Sequence, residues 1–362
     1  MKILSPLYHL GLFGCCLGIV VAPLAAAAPA AGSIWAHENI HAWSVAPFDS
    51  VKRTPEERLA MLQRLGLKHY AYSWREVNIP TFEAEIIAAQ KHGIALLAWN
   101  LLSVEIDEAP AKAALEAFRR QNVHPQLWVM HSPRGRPRTP AEWGKLMPPG
   151  TKLPASTAEL QQWPAAEREK YQEAMKKATR RLQEQSFTKS PEEQRARVIQ
   201  EADRIKKIVD AAAPYGVKVS LYPHNTWFGI MDNQVAIIER LKTLGVTNVG
   251  IVYNFNHARD HDHDDTKNFP AIWKKIQLYV VAVNITGIAF EDELIYPSQG
   301  DSELEMMRTI QNSGWKGPVG IIAEKGGDAE VTLKNYLRGI DWLAAEINRP
   351  GSGGPRPFPR AD

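Results

Sequence analysis

The chain has 362 residues, of which 44% are hydrophobic and 23% are charged. This composition is typical of a globular protein with a large core and excludes an intrinsically disordered chain. The formal net charge of +3 is too small to indicate a basic surface for nucleic acid, so we expect no nucleic-acid partner.

The N-terminus predicts an export signal. Lys2 precedes an apolar stretch over residues 10–24, and Ala-x-Ala cleavage motifs follow near Ala28 and Ala31. These features are typical of a secretory signal peptide. We therefore expect residues 1–31 to be removed and the mature protein to be periplasmic or secreted. The apolar stretch is short for a membrane span, so none is predicted.

The two cysteines, Cys15 and Cys16, both lie inside this leader. The mature chain would then contain no thiol, which excludes a disulfide, a cysteine-ligated metal and a cysteine nucleophile. A lipoprotein anchored at Cys15 is the alternative, but Phe13 beside the cleavage point and the continuing apolar run argue against it.

After residue 31, short apolar runs alternate with amphipathic runs. The apolar runs predict eight strands, over Ile40–Val45, Lys68–Ser73, Ile94–Trp99, Gln126–Met130, Val217–Tyr222, Val249–Tyr253, Val280–Ile285 and Val319–Ala323. The amphipathic runs predict eight helices, over Thr54–Gly66, Phe82–His92, Pro110–Gln121, Pro191–Ala213, Gln234–Leu244, Phe269–Gln277, Glu303–Asn312 and Val331–Ile347. Eight strand–helix units of this length favour an α/β fold, the (β/α)8 TIM barrel, over an open sheet.

One domain is predicted over residues 32–348, interrupted by an insertion at about 133–190. The insertion begins rich in proline and becomes a charged helical run from Ala165 to Gln185. It leaves the C-terminal end of strand four, where a lid over the barrel mouth would lie. A surface extension without function is the alternative. The Pro- and Gly-rich tail, residues 349–362, is expected to be disordered.

Two histidine-rich patterns suggest metal chemistry. His37 and His41 match the H-E-x-x-H pattern of zinc metalloproteases, which requires both histidines on one helix face. The alternation from Ile40 onward instead predicts a strand, so we do not expect this chemistry. The acidic run Asp260–Asp265, with His261 and His263, lacks the glycine and glutamate of an EF-hand and is interpreted as a solvated loop.

Polar residues follow each of the last four strands at the same relative place. Such positions converge on one site in a (β/α)8 barrel. The expected site residues are Tyr222 and His224 after strand five, Asn254 and His257 after strand six, Asn284 in strand seven and Glu324 after strand eight.

Other candidates lie at strand ends closer to the N-terminus or just beyond strand five. Trp43, Trp99 and Trp227 offer flat apolar faces that suit sugar binding, although packing at the rim is an equal alternative. Arg75 and Glu76 could hydrogen-bond to hydroxyl groups or pair with each other.

Several short motifs resemble the sugar phosphate isomerase/epimerase family of xylose-isomerase-like TIM barrels, and in particular an exported subgroup. They include Tyr222-Pro223-His224 with Trp227-Phe228-Gly229, Gly250–Asn254, Gln299-Gly300-Asp301, Ser313–Pro318 and Gly339–Trp342. The resemblance implies proton transfer at a carbon next to a carbonyl. It also implies a divalent metal held by Glu, Asp, His and Glu from strands five to eight.

This chain departs from that metal set, because the matching positions are Tyr222, Asn254, Asn284 and Glu324. Three alternatives remain: Zn, Co or Mn bound by His224, His257 and Glu324; a metal-free reaction with a histidine as base; or an inactive sugar-binding barrel. The expected substrate is a small unphosphorylated carbohydrate, such as a sugar, polyol or keto-sugar. Glu324 and His224 would share the proton transfer, and His257 would assist.

Overall fold

The computed structural model describes residues 32–361, apart from residues 103, 131–138, 156, 225, 261–262 and 290–292. The predicted export leader, its cysteines and His261 therefore lie outside the described residues. Eight parallel strands close into a barrel in the order β1-β8-β7-β6-β5-β4-β3-β2. The strands are β1 Ile40–Trp43, β2 His69–Tyr72, β3 Ala95–Leu102, β4 Gln126–Val129, β5 Val219–Leu221, β6 Gly250–Asn254, β7 Val280–Ile285 and β8 Val319–Ile322.

A helix follows each strand, and the (β/α)8 fold is confirmed. The outer helices are α1 Pro55–Arg64, α2 Phe82–Lys91, α3 Ala109–Gln121, α7 Pro191–Ala212, α8 Met231–Thr243, α9 Phe269–Ile276, α10 Glu303–Asn312 and α11 Ala329–Asn348. Their ends follow local chemistry. Thr54 and Glu57 form a capping box at the start of α1. Just beyond the other end of α1, Gly66 has a left-handed φ of 74°, which stops the helix.

The barrel interior takes alternate residues of each strand. In β1, His41 and Trp43 lie on one face and Ile40 and Ala42 on the other, because successive side chains point to opposite sides. His41 reaches over Gly320 of β8 to Asn284 of β7, so this face is the inner one. The outward residues, Ile40 and Ala42, pack beneath the helices. All four residues of β1 are buried.

The H-E-x-x-H pattern does not lie on one helix. His37–Asn39 forms a single 3-10 turn, and His41 belongs to β1. His37 Nε2 donates to Asp341, 2.8 Å away, whereas His41 points into the barrel. The two histidines do not share a face, so they cannot bind zinc as the H-E-x-x-H motif of a metalloprotease does, as expected.

The insertion carries three further helices: α4 Pro140–Gly144, α5 Thr157–Gln162 and α6 Ala165–Ser186. Met147, Ala174 and Ala178 form a small core of their own, separate from the barrel core. Phe187, directly after α6, packs against the barrel core. The predicted helical run is confirmed, and its role as a lid stays a prediction.

The C-terminal tail is placed against the barrel, which corrects the expectation of disorder. Trp342 Nε1 donates to the carbonyl of Gly354 at 3.1 Å, and Phe358 stacks on Tyr296. Composition alone wrongly predicted disorder for this segment, because a few aromatic and arginine side chains can anchor a proline- and glycine-rich chain. No helix in the described part of the chain is long and apolar enough to cross a membrane.

Candidate active site

A cavity of about 240 Å³ lies at the C-terminal ends of the barrel strands. Residues from all parts of the barrel contribute to its wall. The lining residues are Trp43, Ser44, Phe48, Ser73, Arg75, Asn100, Met130, Tyr222, His224, Asn254, Asn256, His257, Leu294, Ile322 and Glu324. The side chains expected at the ends of strands five, six and eight therefore meet around one cavity, as do Trp43 and Arg75.

Three residues predicted for the site lie away from the cavity wall. Trp99 points outward and packs on Tyr72, with ring centroids 4.4 Å apart. Trp227 is buried and donates through Nε1 to Gln194 Oε1 at 2.6 Å. Glu76 begins an exposed 3-10 turn beyond β2. Each follows a strand end in the sequence, but its side chain faces the helices or the solvent.

Asn284 also differs from the expectation, since it lies inside the barrel but outside the cavity lining. Its Oδ1 accepts a hydrogen bond from His41 Nε2 at 3.0 Å, and both side chains are buried. Burial lowers the pKa of His41 to about 3, so the ring is neutral. A side chain at Gly320, the β8 neighbour of both, would clash with His41 and Asn284.

Aromatic rings build one side of the cavity. Trp43 lies 5.1 Å from Tyr222 and 5.2 Å from Trp128, measured between ring centroids. Trp128 and Tyr222 stack with an interplanar angle of 20°. Because each ring is held by the other two, Trp43 and Tyr222 present a rigid apolar surface to a ligand.

The Tyr222 hydroxyl is held by a short polar contact. Asn254 Nδ2 donates to Tyr222 Oη at 2.6 Å, and Asn254 Oδ1 accepts from the backbone N–H of Asn256 at 3.0 Å. The Asn254 amide is therefore oriented at both ends. Since the Tyr222 oxygen accepts from Asn254, its own proton is directed elsewhere, and it can serve as a donor to a ligand oxygen.

Two histidines lie together at the cavity wall. The rings of His224 and His257 are 4.8 Å apart between centroids and tilted by 41°. The backbone carbonyl of His257 accepts from His263 Nε2 at 2.7 Å. His263 belongs to a short antiparallel pair, Arg259–Asp260 with His263–Asp264, so this hairpin supports His257 from outside.

Charge in the cavity comes from Glu324 and Arg75. Among the described residues, Glu324 is the one carboxylate at the wall. The Arg75 guanidinium lies 5.1 Å from the centre of the Phe48 ring. Partial burial lowers the pKa of Arg75, and the charge of Glu324 acts in the opposite direction. The described part of the cavity wall thus carries one carboxylate and one guanidinium group.

Sequence reasoning missed several wall residues. Ser44 directly follows Trp43 and has a left-handed φ of 52°, an uncommon conformation outside glycine. Asn100 is the inward neighbour of Trp99, and the alternation of β3 could have identified it. Leu294 comes from a loop after β7, where the sequence carries no signal.

The described residues at the cavity do not fit a metal site by themselves. No three His, Cys, Asp or Glu side chains within the described residues lie close enough together to hold an ion. At the positions that match the family ligands, Asn254 is engaged by Tyr222 and Asn284 by His41. The set His224, His257 and Glu324 therefore does not form a ligand triad, and we derive no step through a metal.

Comparison with known proteins places this barrel in a family. The chain belongs to the xylose isomerase-like TIM barrel family, whose pattern matches residues 86–346. Comparison with curated proteins finds no match.

Two solved structures show the same fold. The first is the apo form of 3-keto-D-glucoside 4-epimerase from E. coli, at 13% identity and a TM-score of 0.52, covering 84% of this chain and 98% of that one. The second is a xylose isomerase-like TIM barrel protein from Mycobacterium smegmatis in complex with magnesium. It shows 13% identity and a TM-score of 0.51, covering 87% of this chain and 99% of that one.

Proposed function

We propose that the protein is an isomerase or epimerase that moves a proton next to the carbonyl of an unphosphorylated sugar, polyol-derived ketone or keto-sugar. One observation carries this proposal: Glu324 and the His224–His257 pair line the same aromatic-walled cavity. A carboxylate and an imidazole are the usual groups for general acid–base catalysis near neutral pH.

The cavity favours a small ligand. Its volume of about 240 Å³ is below the range of about 300–1,000 Å³ that drug-sized ligands occupy. Trp43 and Tyr222 offer apolar faces, and Asn256, Ser44 and Ser73 offer polar groups. This mixture suits a single sugar unit, with C–H surfaces against the rings and hydroxyl groups against the polar side chains.

The proposed reaction begins when the Glu324 carboxylate takes the proton from the carbon next to the carbonyl. The C–H bond breaks, its electron pair forms a C=C double bond, and the π pair of the carbonyl moves onto the oxygen, which gives an enediolate. Tyr222, oriented by Asn254, donates a hydrogen bond to that oxygen as charge develops. For epimerisation, His224 returns a proton to the opposite face of the same carbon, and the carbonyl forms again. For isomerisation, the proton goes to the former carbonyl carbon, and the proton of the adjacent hydroxyl group passes to the enediolate oxygen with the assistance of His257.

Other support is indirect. The 3-keto-D-glucoside 4-epimerase shares the fold, and the sequence motifs resemble an exported subgroup of sugar isomerases. The predicted export leader favours an unphosphorylated substrate, because phosphorylated sugars are mainly intracellular. Periplasmic or secreted location remains part of the proposal.

The decisive experiment is solvent deuterium exchange. The protein is incubated in D₂O with a panel of unphosphorylated ketoses, aldoses and keto-glucosides, and exchange at carbon is followed by NMR. We expect exchange with at least one sugar, and a loss of about 10²- to 10⁴-fold in Glu324→Gln, with the fold intact by circular dichroism. Glu76→Gln, an exposed carboxylate outside the cavity, is the matched control and should retain full exchange.

An inactive sugar-binding barrel is the second candidate. It is favoured by the replacement of two family carboxylates with Tyr222 and Asn254. Sugar binding in calorimetry without any deuterium exchange would establish it and overturn the enzyme proposal.

A further inference from the structure

One wall of the cavity is a loop segment rather than a barrel strand. Leu294 lines the cavity and lies in residues 293–301, which we call the lip. Glu303, the first residue of α10, accepts hydrogen bonds from the N–H groups of Gly300 at 2.9 Å and Ile288 at 3.2 Å. The carboxylate thus ties the lip to the start of the same loop.

The lip also touches α11 directly. A side chain at Gly339 would clash with the backbone carbonyl of Pro297. The helix therefore approaches the lip backbone at a distance that excludes a larger residue. The motifs around Gly300 and Gly339, which the proposed reaction does not use, serve this packing.

Lys325 connects the lip to the end of β8, which carries Glu324. It directly follows Glu324, and its ammonium group donates to the carbonyl of Leu294. The same group lies 4.7 Å from the centre of the Tyr296 ring. Lys325 thus holds two lip residues from the position next to the proposed base.

The C-terminal tail also contacts the lip. Phe358 stacks on Tyr296, with centroids 4.9 Å apart and an interplanar angle of 27°. The N–H of Ala361 donates to the carbonyl of Gln299 at 3.0 Å, and Arg360 pairs with Asp301 at 3.0 Å.

The tail is in turn anchored on α11. Glu346 accepts from the N–H groups of Gly351 and Gly353, each at 2.8 Å, and Trp342 donates to Gly354. The Arg356 guanidinium lies 5.0 Å from the Trp342 ring. The segment therefore has fixed attachments at both ends.

We propose that Lys325 and the tail residues 354–361 are positioning elements that fix the lip, and with it the Leu294 wall of the cavity. The tail would then set how far the cavity opens to a ligand. This inference goes beyond the proposed reaction and does not depend on it, since it concerns the wall and not the chemistry.

A single thiol can test the inference. In the full chain with Cys15→Ser and Cys16→Ser, Leu294→Cys introduces the one cysteine, and its rate of reaction with DTNB reports how accessible the wall is. Adding Phe358→Ala removes the stacking on Tyr296, so we expect the rate to rise about three- to tenfold. Ending the chain at Arg349 should raise it further.

The matched control is Pro350→Ala, at an exposed position outside residues 354–361, which should leave the rate unchanged. Unchanged rates in both Phe358→Ala and the shortened chain would overturn the inference. Hydrogen exchange of peptides covering 293–301, read by mass spectrometry without the Leu294→Cys substitution, gives an independent readout. It should rise in the same variants while the barrel strands stay protected.

Lys325 is tested by rescue. Lys325→Met should speed both thiol reaction and hydrogen exchange of the lip, whereas Lys325→Arg, which keeps a donor, should restore slow rates. Equal rates in the two variants would exclude a positioning role for the lysine. Neither readout requires turnover, so a failure of the proposed reaction would leave this result interpretable.

Discussion

His41 and Asn284 form a hydrogen bond of 3.0 Å inside the barrel, over Gly320 of the intervening strand β8 and away from the cavity wall. The pair occupies the inside of β1 and β7, where the family resemblance implied a metal ligand at Asn284. An amide held by a neutral imidazole serves to fill and order the barrel interior. The two side chains thus form a buried polar pair that does not line the cavity.

The buried His41 should make the protein sensitive to acid. Its pKa in the fold is about 3, against 6.5 ordinarily, because burial disfavours the charged ring. The stabilisation is present above pH 6.5 and is lost as the pH falls towards 3, since the unfolded chain then binds the proton. The free energy of unfolding should fall by up to about 1.4 kcal/mol per pH unit in this window.

Urea unfolding at pH 4, 5, 6 and 7 measures this effect. In His41→Gln the free energy of unfolding should fall less steeply with decreasing pH, by that amount per pH unit. His124→Gln, at an exposed histidine, should show the same pH dependence as the natural chain. An unchanged slope in His41→Gln would show that another group causes the acid sensitivity.

Gly320 should tolerate no side chain. A methyl group there would clash with His41 and Asn284, so Gly320→Ala should lower the free energy of unfolding by about 1–3 kcal/mol through overpacking. Gly327→Ala is the matched control, because nothing lies within 4 Å of the added methyl group. Thermal and urea unfolding compare the two, and equal stabilities would contradict the packing described for the barrel interior.

Tyr222 should matter for chemistry more than for folding. Tyr222→Phe removes the oxygen that Asn254 contacts and the proposed donor to the enediolate, so deuterium exchange should fall about 10²- to 10³-fold, as for loss of an oxyanion donor. Tyr72→Phe, a buried tyrosine on the outer face of β2, should leave exchange unchanged. Full exchange in Tyr222→Phe would remove Tyr222 from the mechanism.

Metal removal should have no effect on the reaction. Because the described residues offer no triad of ligands, deuterium exchange should persist after dialysis against EDTA and should not rise on adding Zn²⁺, Co²⁺ or Mn²⁺. Mass spectrometry of the purified protein for bound metals completes the test. A stoichiometric metal whose removal stops exchange would replace the metal-free reaction with a metal-assisted one.

The alternation of apolar and amphipathic runs was sufficient to predict the barrel. Val280–Ile285 and Glu303–Asn312 match the observed elements residue for residue, because their ends carry clear polarity changes. The strand ends also indicated that His224, His257 and Glu324 lie together, and all three line the cavity. These predictions succeeded since a parallel barrel brings all strand ends to one place.

The depth of a side chain in the barrel and the direction in which it points were harder to predict from the sequence. Trp99 and Asn100 are adjacent at the end of β3, and only the alternation of the strand decides which one faces the cavity. Asn284 is bonded to His41 instead of lining the cavity, and this contact between distant segments has no local signal in the sequence. Leu294 and the tail depend on contacts between distant segments, and no local pattern encodes them.

The position of the C-terminus has a practical consequence. Ala361 is hydrogen-bonded to Gln299 of the lip, and Leu294 of the same segment lines the cavity. An affinity tag or surface linkage attached next to Ala361 would therefore lie beside the lip and its Leu294 wall. Activity assays on such fusions should be compared with untagged protein before a lack of turnover is taken as a property of the enzyme.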